Sequence, residues 1–558
     1  MAIFHLGLST SGHDPALALV DNEGRVRFAE ATERILQEKR AWGVVPDHVS
    51  HLAAALQAGG FNFDRDRLEV ATSWLSAKAD LPVRLSGGLL PEADGLWLRE
   101  LQAGLQRIAG ASLLRLGLAA RMPEPRRFDH HLCHAVTACV FAPVEDAACL
   151  VLDGEGEVGA AALYGLRGRI LHRSWRSWGP GSLGTLYAWL TRWCGFDWRL
   201  GEEWKVMGLA AYGTVRPELV AAIHSMLAVE NGRLRFADRG VLDRAIEFLR
   251  PYARHPDADI MSGADCAASG QAAFAALADQ VLEVCREDSK GTLILSGGCA
   301  LNSSYNGTIA GRCGFERVFV PPAPADDGNA IGAAILSWMQ STGESRIPVS
   351  GGDPFLGSRP SAAVVSRLSA GVGGCRVTSL ADDSARRIAE RLADGKIIGI
   401  MRGRAEFGPR ALGNRSILVD PRPAGMKDRI NREVKGREPY RPFAPVIAEA
   451  DVGDWFERSQ LSPYMSFTLP WRPAQRHRLP AVVHEDGTGR LQTVSATAAP
   501  WMHAVTQAFG AITGVPIVLN TSFNVMGKPI VHSVEDALAV LLTSGLDAVL
   551  IDDVLVEK

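Results

Sequence analysis

The amino-acid sequence predicts an α/β protein with two domains, of which the first is internally duplicated. A strand–turn–strand pattern near the start of the chain returns about 140 residues later, and a segment of different composition separates both copies from a further α/β stretch. The 558 residues, 47% of them hydrophobic, exceed the ~250–300 residues at which a single core stops growing. We therefore expect at least two hydrophobic cores.

The repeated pattern predicts the architecture of the first domain. After an N-terminal strand, "ALALVDNEGRVRFAEAT" alternates around a hairpin loop at Asn22 to Gly24. In "ACLVLDGEGEVGAAALYGLRGRILHRS" the same order returns, with Asp153 at the end of its first strand. Helical sequence follows each copy, which predicts halves of about 1–147 and 148–345 with a cleft between them, as in actin-like (ASKHA) ATPases. Two unrelated hairpins would show the same local pattern.

A change of composition marks the predicted domain boundary. The segment 346–374 is rich in Gly, Ser and Pro and lacks a sustained hydrophobic period, which predicts a linker. It separates a first domain, residues 1–345, from a second domain, residues 375–558.

Two helices of the second domain are predicted by periodicity and capping residues. The apolar residues of "DDSARRIAERLADGKIIGIM" share one helical face until Gly395 ends the helix, and a strand follows. Ser533 and Asp536 form a capping box before "ALAVLLTS", and Gly545 closes that helix. The second domain is therefore also predicted to be α/β.

Charge, cysteine content and hydropathy exclude several classes of protein. A net charge of −3 argues against a general nucleic-acid-binding surface. The nine cysteines are scattered without a CxxC pair, which argues against a disulfide frame or a zinc ribbon. No apolar run reaches the ~18 residues of a membrane span, and the N-terminus lacks signal-peptide features. We expect a cytoplasmic protein with no membrane or nucleic-acid partner; the oligomeric state stays open.

The stretch "FDHHLCHAVTACV" contains three of the 14 histidines within five positions. Asp129 can cap a helix on which His130 and His134 share one face and could chelate a cation. The same spacing also suits histidines of an ordinary core or surface. Asp153, at a strand end, and Asp326, in a turn before a small-residue helix, could add carboxylates. Such a set would suit Fe²⁺, Mn²⁺ or Zn²⁺ and leave positions open for phosphate oxygens.

A pair of glycines suggests a nucleotide contact. "LILSGGCALNSSYNG" runs from an apolar strand into Gly297 and Gly298 and then into a helical start. Glycines let the backbone approach a ligand closely, and N–H groups at a helix start favour phosphate or ribose oxygens. Taken alone, such a pair is a weak indication.

Basic residues are concentrated in the second domain. Between Arg402 and Arg441 there are eleven Lys or Arg against five Asp or Glu, a net charge of +6 within a chain of net charge −3. Such a concentration suits a polyphosphate ligand, because guanidinium groups match phosphate oxygens and stabilise charge that develops during group transfer. A solvated basic face is the alternative, but interleaved glycines favour loops that approach a ligand.

The polar segment "NTSFN" follows a predicted strand, where α/β sheets commonly bind ligands. It offers amides and a hydroxyl from Asn520, Ser522 and Asn524. An ordinary polar loop is the alternative, and the basic segment favours a ligand site.

Several long motifs resemble one family. "TSGHDPALALV", "HxxxH", "LDGEGE", "GEEWKVMGLAAYG", "SGGCALN" and "DDGNAIG" occur in the order found in nodulation-type and antibiotic O-carbamoyltransferases. The first domain of that family is similar to the tRNA threonylcarbamoyl-transferring ATPase. "GRAEFGPRALGNRSILVDPR", "INREVKGREPYRPFAPV" and "VLNTSFNVMGKPIV" resemble its carbamoyl-activating domain. The resemblance covers nearly the whole chain and implies a duplicated actin-like (ASKHA) ATPase domain followed by a YrdC-like α/β domain.

The resemblance also implies roles for individual residues. The implied catalytic residues are His13, Lys205, Arg410, Lys435 and Arg441. The implied contacts with nucleotide and carbamoyl phosphate are Gly297, Gly298, Asn302, Arg404, Asn520, Ser522 and Asn524. The implied metal ligands are His130, His134, Asp153 and Asp326, where the family's glycine-rich turn favours Asp326 over the adjacent Asp327. His13 is a candidate general base, and the motif around Lys205 could equally shape a helix-packing surface.

The family's chemistry supplies the expected function. Carbamate is a poor acyl donor because resonance deactivates its carbonyl carbon, so it must be activated as a mixed anhydride. The resemblance implies that the second domain makes carbamoyl-adenylate from carbamoyl phosphate and ATP with Mg²⁺. The first domain, with a divalent metal for which Fe²⁺ is preferred over Mn²⁺ or Zn²⁺, transfers the carbamoyl group to a hydroxyl of a sugar-type or polyketide-type secondary metabolite, as in antibiotic biosynthesis. The alternatives are carbamoyl or threonylcarbamoyl transfer to tRNA or protein, and a nucleotide-sensing actin-like regulator.

Overall fold

The computed structural model describes residues 1–75, 89–230, 232–286, 289–368 and 370–558. These residues form helices and sheets in both halves of the chain, which confirms the predicted α/β class. They divide into two compact units: unit 1 is residues 1–33 with 40–352, and unit 2 is residues 34–39 with 353–558. Within the described ranges, every helix is too short or too polar to cross a bilayer.

Unit 1 alternates strands and helices. Its strands are β1 (Ile3–Leu8), β2 (Ala16–Val20), β3 (Val26–Ala31), β4 (Arg67–Thr72), β5 (Arg126–Arg127), β6 (Ala147–Leu152), β7 (Ala161–Arg167), β8 (Ile170–Arg176), β9 (Leu227–Glu230), β10 (Arg233–Phe236), β11 (Thr292–Ser296) and β12 (Arg317–Phe319). Its helices are α1 (Thr32–Leu36, which continues into unit 2), α2 (Leu52–Ala58), α3 (Glu92–Ile108), α4 (Ala111–Arg115), α5 (His130–Phe141), α6 (Leu183–Trp193), α7 (Glu203–Ala210), α8 (Pro217–His224), α9 (Arg239–Leu249), α10 (Ala264–Cys285), α11 (Ser303–Ile309) and α12 (Asn329–Thr342).

Two five-stranded sheets of unit 1 have the same topology. The first has the order β3-β2-β1-β4-β5, and the second has the order β8-β7-β6-β11-β12. In each, three successive strands form an antiparallel meander, a later strand pairs in parallel with its first strand, and a further strand pairs in parallel with that later one. The duplicated meander that the sequence predicts is therefore present. β6 is buried along its whole length, as expected for an apolar strand inside a sheet.

Close backbone approach fixes helix α12 against its neighbours. A Cβ atom on Gly7 of β1 would lie 1.9 Å from the carbonyl oxygen of Ala330, and one on Gly332 would lie 2.1 Å from that of Cys133 in α5. Only glycine allows such contacts. The helix that carries the histidine pair is thereby held against the helix that follows Asp326.

Unit 2 is built on one nine-stranded sheet with the order β13-β21-β20-β14-β15-β19-β16-β18-β17. Its strands are β13 (Arg376–Ser379), β14 (Ile398–Met401), β15 (Arg415–Val419), β16 (Ala444–Ala448), β17 (Phe467–Pro470), β18 (Thr488–Val494), β19 (Ile517–Ser522), β20 (Ala548–Ile551) and β21 (Val554–Glu557). Its helices are α13 (Ala362–Leu368), α14 (Ser384–Ala393), α15 (Met426–Ile430), α16 (Val452–Trp455), α17 (Pro473–Arg476), α18 (Pro500–Thr513) and α19 (Val534–Thr543).

Most local predictions for unit 2 agree with the structure. Helix α14 precedes β14 as predicted, and Ser533 and Asp536 form the reciprocal capping box of α19. Helix α19 ends at Thr543 with Ser544 as its C-cap, so Gly545 stands at the next position, as predicted; its N–H donates to the Glu433 carbonyl. The short helix α13 lies within the segment that composition predicts as a linker.

Candidate functional site

Helix α5 positions the histidine pair. The side chain of Asp129 accepts a hydrogen bond from the Leu132 N–H (2.9 Å), so it caps the helix as predicted. His130 and His134 are both about 1% exposed, and their Nε2 atoms lie 3.2 Å apart. One helical turn therefore aims two imidazole nitrogens at one point.

Two carboxylates from separate elements meet these nitrogens. Asp153 follows β6, and its Oδ2 lies 3.1 Å from the His130 Nε2 and 3.2 Å from the His134 Nε2. Asp326 precedes α12, and its Oδ1 lies 3.6 Å and 3.3 Å from the same two atoms. The ligand atoms of the four residues all lie within 4.8 Å of one another. We call this group the His–Asp cluster.

The His–Asp cluster fits a divalent transition metal. Ligand bonds of about 2.1 Å in a tetrahedral arrangement require donors about 3.4 Å apart, close to the nitrogen–oxygen separations observed. Two imidazoles and two carboxylates are donors typical of Fe²⁺, Mn²⁺ or Zn²⁺. The neighbouring Asp327 is not part of this group, and its Oδ1 accepts the Gly328 N–H at 3.0 Å.

Surrounding groups orient the ligands. The His130 Nδ1 lies 3.3 Å from the Ser73 carbonyl oxygen and 3.2 Å from the Asn329 Nδ2, which leaves Nε2 turned toward the cluster. Glu157 accepts the His130 N–H at 3.0 Å. The Gly298 N–H donates to the Asp153 Oδ1 at 2.9 Å. Sequence reasoning missed Asn329 and Glu157, although both lie within the motifs "DDGNAIG" and "LDGEGE".

Mutual attraction governs ionisation within the cluster. Burial opposes charge on His130, but the Asp326 carboxylate raises its pKa well above the ordinary value. Burial likewise opposes charge on Asp326, yet His130 holds the pKa of that carboxyl well below its usual range. Glu155, close by in sequence, is different: burial raises its pKa to about 8, and its Oε1 has no hydrogen-bond partner among the described residues. The cluster thus keeps charged groups in a buried setting.

The residues predicted to contact a nucleotide in unit 1 make internal contacts. Gly297 has a φ of +87°, and a Cβ there would lie 2.2 Å from the Leu152 carbonyl oxygen, so only glycine fits. Its N–H donates to the Pro324 carbonyl, and the Asn302 side chain accepts the Tyr305 N–H at the start of α11. These contacts shape the turn beside Asp153; the nucleotide contact stays a prediction.

His13 lies beside the His–Asp cluster. Its Nε2 is 3.8 Å from the Asp326 Oδ2, and its Nδ1 is 2.8 Å from the Asp14 Oδ2 and 3.2 Å from an Arg40 nitrogen. Asp14 and Arg40 thus hold the imidazole with one nitrogen facing the cluster. The predicted catalytic Lys205 pairs with Glu202 at 2.6 Å, and its catalytic role stays a prediction.

A second cluster, in unit 2, centres on Lys435. This lysine ends a π-helical turn over residues 431–435 and is 2% exposed. Its Nζ donates to the main-chain carbonyl of Ser522 and to the Asn524 Oδ1 (2.7 Å), and Ser522 and Asn524 are hydrogen-bonded to each other (2.8 Å). The basic segment and the "NTSFN" segment therefore meet at Lys435; their contact with a ligand, which the resemblance implies, stays a prediction.

The charges of several arginines act on this lysine or on one another. We define the cationic cluster as Lys435 with Arg410, Arg437, Arg441 and Arg490. Burial, followed by the charges of Arg437 and Arg441, lowers the pKa of Lys435 well below its usual range. Burial, followed by Arg410 and Arg437, does the same to the pKa of Arg490.

Glu438 pairs with Arg441 at 3.4 Å, but the five basic side chains outnumber it, so the cationic cluster is a candidate anion site. The Arg490 Nε is buried and has no hydrogen-bond partner in the described part of the chain. A phosphate group would supply both charge and acceptors. Arg490 was missed from the sequence, because it stands alone in β18, outside the basic window.

Two other predicted residues of unit 2 have internal partners. Arg404 donates to the main-chain carbonyls of Leu356 and Gly357. Asn520 is 1% exposed and donates to the Ala411 carbonyl and the Gln492 side chain. Their contact with a ligand stays a prediction.

Comparison with known proteins gives matches along most of the chain. The family model described as "Carbamoyltransferase N-terminus" matches residues 92–335, and that described as "Carbamoyltransferase C-terminus" matches residues 389–558. Nodulation protein NolNO of Sinorhizobium fredii is 40% identical over 473 residues, covering 80% of this chain and 67% of that protein. Nodulation protein NolO of Bradyrhizobium diazoefficiens is 37% identical over 443 residues, covering 77% of this chain and 79% of that protein.

An enzyme with a more specific description also matches. The 3'-hydroxymethylcephem-O-carbamoyltransferase of Amycolatopsis lactamdurans is 30% identical over 444 residues, covering 76% of this chain and 79% of that protein. Among solved structures, component A of the (R)-2-hydroxyglutaryl-CoA dehydratase of Acidaminococcus fermentans covers 61% of this chain and 99% of its own, at 11% identity and a TM-score of 0.34. A similarity at that level does not establish a shared fold.

Proposed function

Because the chain belongs to the carbamoyltransferase family, we propose that it is an ATP-dependent O-carbamoyltransferase of small-molecule hydroxyl groups. In this proposal, unit 2 is a YrdC-like domain that makes carbamoyl-adenylate, and unit 1 is an actin-like domain that transfers the carbamoyl group. The cephem-modifying relative supports transfer to oxygen. The observation that carries the proposal is the coexistence of a cationic cluster in unit 2 and a His–Asp cluster in unit 1.

The activation step uses the cationic cluster. Water cleaves carbamoyl phosphate to carbamate and phosphate, and a carbamate oxygen then attacks the α-phosphorus of Mg²⁺-bound ATP while pyrophosphate leaves. The products are carbamoyl-adenylate, phosphate and pyrophosphate. Lys435 and Arg490 neutralise the charge that develops on the phosphate oxygens, in a buried setting where such interactions are strong. Ser522 and Asn524, which hold the Lys435 ammonium, keep it in position.

The transfer step uses the groups beside the His–Asp cluster. The acceptor oxygen attacks the carbamoyl carbon, the bond from that carbon to the AMP oxygen breaks, and the hydroxyl proton passes to the His13 Nε2. Asp14 orients this imidazole through its Nδ1, as a carboxylate does for a catalytic histidine. A divalent cation held by His130, His134, Asp153 and Asp326 would supply positive charge for phosphate oxygens.

The experiment is a pyrophosphate-release assay on the full-length protein. We expect pyrophosphate from ATP only when carbamoyl phosphate is present, and a carbamoyl-adenylate mass in rapidly quenched samples. Arg490→Ala should lower the rate by about 10²–10³-fold, as for the loss of one charge-stabilising donor in other enzymes. Arg432→Ala is the matched control, because that arginine lies in the same basic segment but is 72% exposed and pairs with Glu433.

The outcomes separate the proposal from its rivals. ATP consumption without carbamoyl phosphate would indicate a kinase or simple ATPase and would overturn the proposal. Equal losses of the pyrophosphate-release rate in Arg490→Ala and Arg432→Ala would show that general positive charge, rather than the cationic cluster, binds the substrates.

A further inference from the structure

Arg410 lies on the connection from β14 to β15. We call residues 406–412 the Arg410 loop. Glu406 and Leu412, at its two ends, are 1% and 2% exposed, whereas Arg410 is only partly buried. The charge of Arg410 lowers the pKa of Arg490, which places it in the cationic cluster. The loop therefore presents one guanidinium group from a buried base.

One carboxylate closes the Arg410 loop. The Glu406 Oε1 accepts three main-chain hydrogen bonds: from the N–H of Leu412 at 2.6 Å, of Asn414 at 3.3 Å and of Arg415 at 3.2 Å. Successive N–H groups that converge on one oxygen form the arrangement by which a backbone binds an anion. Here the chain itself supplies the anion, so the loop is folded around the charge of its own first residue.

Other side chains bind the carbonyl groups of the same loop. Arg34 is 2% exposed and donates to the carbonyls of Glu406 and Gly408, the latter at 2.7 Å. Asn520 donates to the Ala411 carbonyl at 3.0 Å. Gly408 itself has a φ of +109°, a conformation that glycine adopts far more readily than other residues. The main chain on both sides of Arg410 is thus fixed by hydrogen bonds and by its own geometry.

A buried carboxylate is an expensive way to close a loop. Burial of a charged group costs free energy unless hydrogen bonds or an opposite charge offset it. In Glu406 only Oε1 has such partners, since its Oε2 has none among the described residues. A neutral acceptor would avoid the cost of burying a charge. The use of a carboxylate here points to a role in what the loop carries.

The group that the loop carries depends on accurate placement. Burial lowers the pKa of Arg410 to about 10, because its guanidinium lies in a desolvated setting where charges interact strongly. A guanidinium that is already in position loses less conformational freedom when it binds an anion. In such a site, a displacement of about 1 Å can lower a reaction rate by about 10²-fold.

We propose that Glu406 is a positioning residue for the cationic cluster: it holds the Arg410 loop in the conformation that places the Arg410 guanidinium against the anion. Glu406 acts through main-chain N–H groups and makes no bond to the substrate, as outer groups orient the residues that contact a ligand. This inference rests on the proposed function, because it takes the cationic cluster as the place where carbamoyl phosphate and ATP react.

The test is a double-mutant cycle on the binding of inorganic pyrophosphate to the full-length protein, by isothermal titration calorimetry. Arg410→Ala should weaken binding about 10–100-fold, the range of a hydrogen bond to a charged group. Glu406→Gln keeps the size of the side chain but loses its charge, and it should weaken binding by up to the same factor. In the double variant, Glu406→Gln should add less than about twofold, because it acts through Arg410.

A second variant and a control accompany the cycle. Gly408→Ala strains the same loop at a φ of +109° and should behave like Glu406→Gln. Asp420→Asn is the matched control, because Asp420 is also 2% exposed and accepts a main-chain N–H, that of Arg422 at 2.9 Å, but lies outside the Arg410 loop. It should bind pyrophosphate within about twofold of the unchanged protein.

Three results would overturn the proposal. The first is unchanged binding by Glu406→Gln, or by Gly408→Ala if urea unfolding shows that Glu406→Gln does not fold. The second is a loss in the Arg410→Ala background as large as in the unchanged background, which would assign Glu406 to direct contact or to general stability. The third is unchanged binding by Arg410→Ala, which would remove Arg410 from the anion site.

Pyrophosphate release from ATP by the unchanged protein tests the proposed function separately. If carbamoyl phosphate fails to elicit release while the losses of affinity in the cycle are not additive, the function proposal fails and the role of Glu406 stands. If release is observed but the losses of affinity add, this inference alone fails.

Discussion

Among single residues, Asp153 makes the sharpest test of the metal site. Its Oδ2 is shared by both imidazoles, at 3.1 Å and 3.2 Å, while its Oδ1 accepts the Gly298 N–H. Asp153→Asn keeps the shape of the side chain but removes its negative charge and one of its two oxygen donors. We expect metal affinity to fall at least tenfold. The measurement is Fe²⁺, Mn²⁺ and Zn²⁺ content by plasma mass spectrometry after equilibrium dialysis.

The control for this change is Asp146→Asn. Asp146 lies just before the same strand, is 35% exposed and pairs with Lys290 at 2.8 Å, so its loss should leave the metal content unchanged. Full metal content in Asp153→Asn would show that the four side chains are only a buried network of hydrogen bonds and ion pairs.

Lys435 should make substrate binding in unit 2 sensitive to pH. Burial and then Arg437 lower the pKa of its ammonium group, so it loses its proton at a lower pH than an ordinary lysine. The protonated form attracts phosphate; binding should therefore be strongest below the lowered pKa and weaken as the pH rises through it. The KM for carbamoyl phosphate, measured between about pH 6 and 10 in the pyrophosphate assay, should rise accordingly.

Lys435→Arg is the diagnostic variant for this pH dependence. A guanidinium keeps its proton far more strongly than an ammonium, so the variant should give a flatter profile even if its affinity is lower. The same slope in both proteins would assign the pH dependence to another group.

Residue-level prediction succeeded where local spacing encodes geometry. His130 and His134 are one helical turn apart, so their shared face follows from the helix itself. Charge counting was less informative. Arg415 lies within the basic window, yet it is fully buried and donates to four main-chain carbonyls. Arg490 lies outside the window and joins the cationic cluster through tertiary folding, which a count along the chain does not detect.

At the scale of elements, the contact between α12 and α5 decides where the histidines lie. Gly332→Ala would place a methyl group 2.1 Å from the Cys133 carbonyl oxygen, so the helices must separate. Helix propensity alone predicts that this change stabilises the protein by up to ~1 kcal/mol. We expect the opposite sign: a loss of about 1–3 kcal/mol, as for other overpacked cores, measured by urea unfolding, together with weaker metal binding.

Gly104→Ala is the matched control for packing. Gly104 also lies inside a helix, α3, and the nearest atom to its added Cβ is an Arg107 nitrogen at 4.0 Å. Because the added methyl group meets no close atom, the higher helix propensity of alanine should be the main effect and should stabilise the protein by up to ~1 kcal/mol. Stabilisation by both changes would show that α12 can shift without cost.

Elements closed by short turns could be predicted, and those paired at long range could not. The hairpin of β2 and β3 follows from alternation around Asn22 to Gly24. The parallel pairing of β6 with β11 joins Leu150 to Leu295, although four strands and several helices lie between them in the chain. An apolar run does not indicate which strand it pairs with. The π-helical turn that ends at Lys435 likewise has no simple sequence signal.

At the scale of the whole molecule, the division into units departs from a simple order along the chain. Residues 34–39 belong to unit 2, although residues on both sides of them belong to unit 1. Arg34 donates to the Gly408 carbonyl at 2.7 Å, and Gln37 donates to the Ile530 carbonyl at 3.1 Å. A boundary read from composition cannot detect such an excursion, because only tertiary hydrogen bonds define it.

The two proposed half-reactions make a prediction about the intact chain. Asp153→Asn should retain pyrophosphate release but lose acceptor carbamoylation, and Arg490→Ala should lose both. An equimolar mixture of the two variants then tests whether carbamoyl-adenylate leaves the chain that makes it. A mixed anhydride released into water is open to hydrolysis, so a reaction kept within one polypeptide protects it.

We therefore expect the mixture to carbamoylate an acceptor far more slowly than an equal amount of unchanged protein. The measurement is the ratio of carbamoylated product to pyrophosphate, by mass spectrometry and a coupled assay, at rising protein concentration. In the unchanged protein this ratio should be independent of concentration. In the mixture it should be low and should rise with concentration, since a second chain must capture the intermediate before water does. A mixture that matches the unchanged protein would mean that the intermediate exchanges freely, and covalent fusion of the two units would then need another explanation.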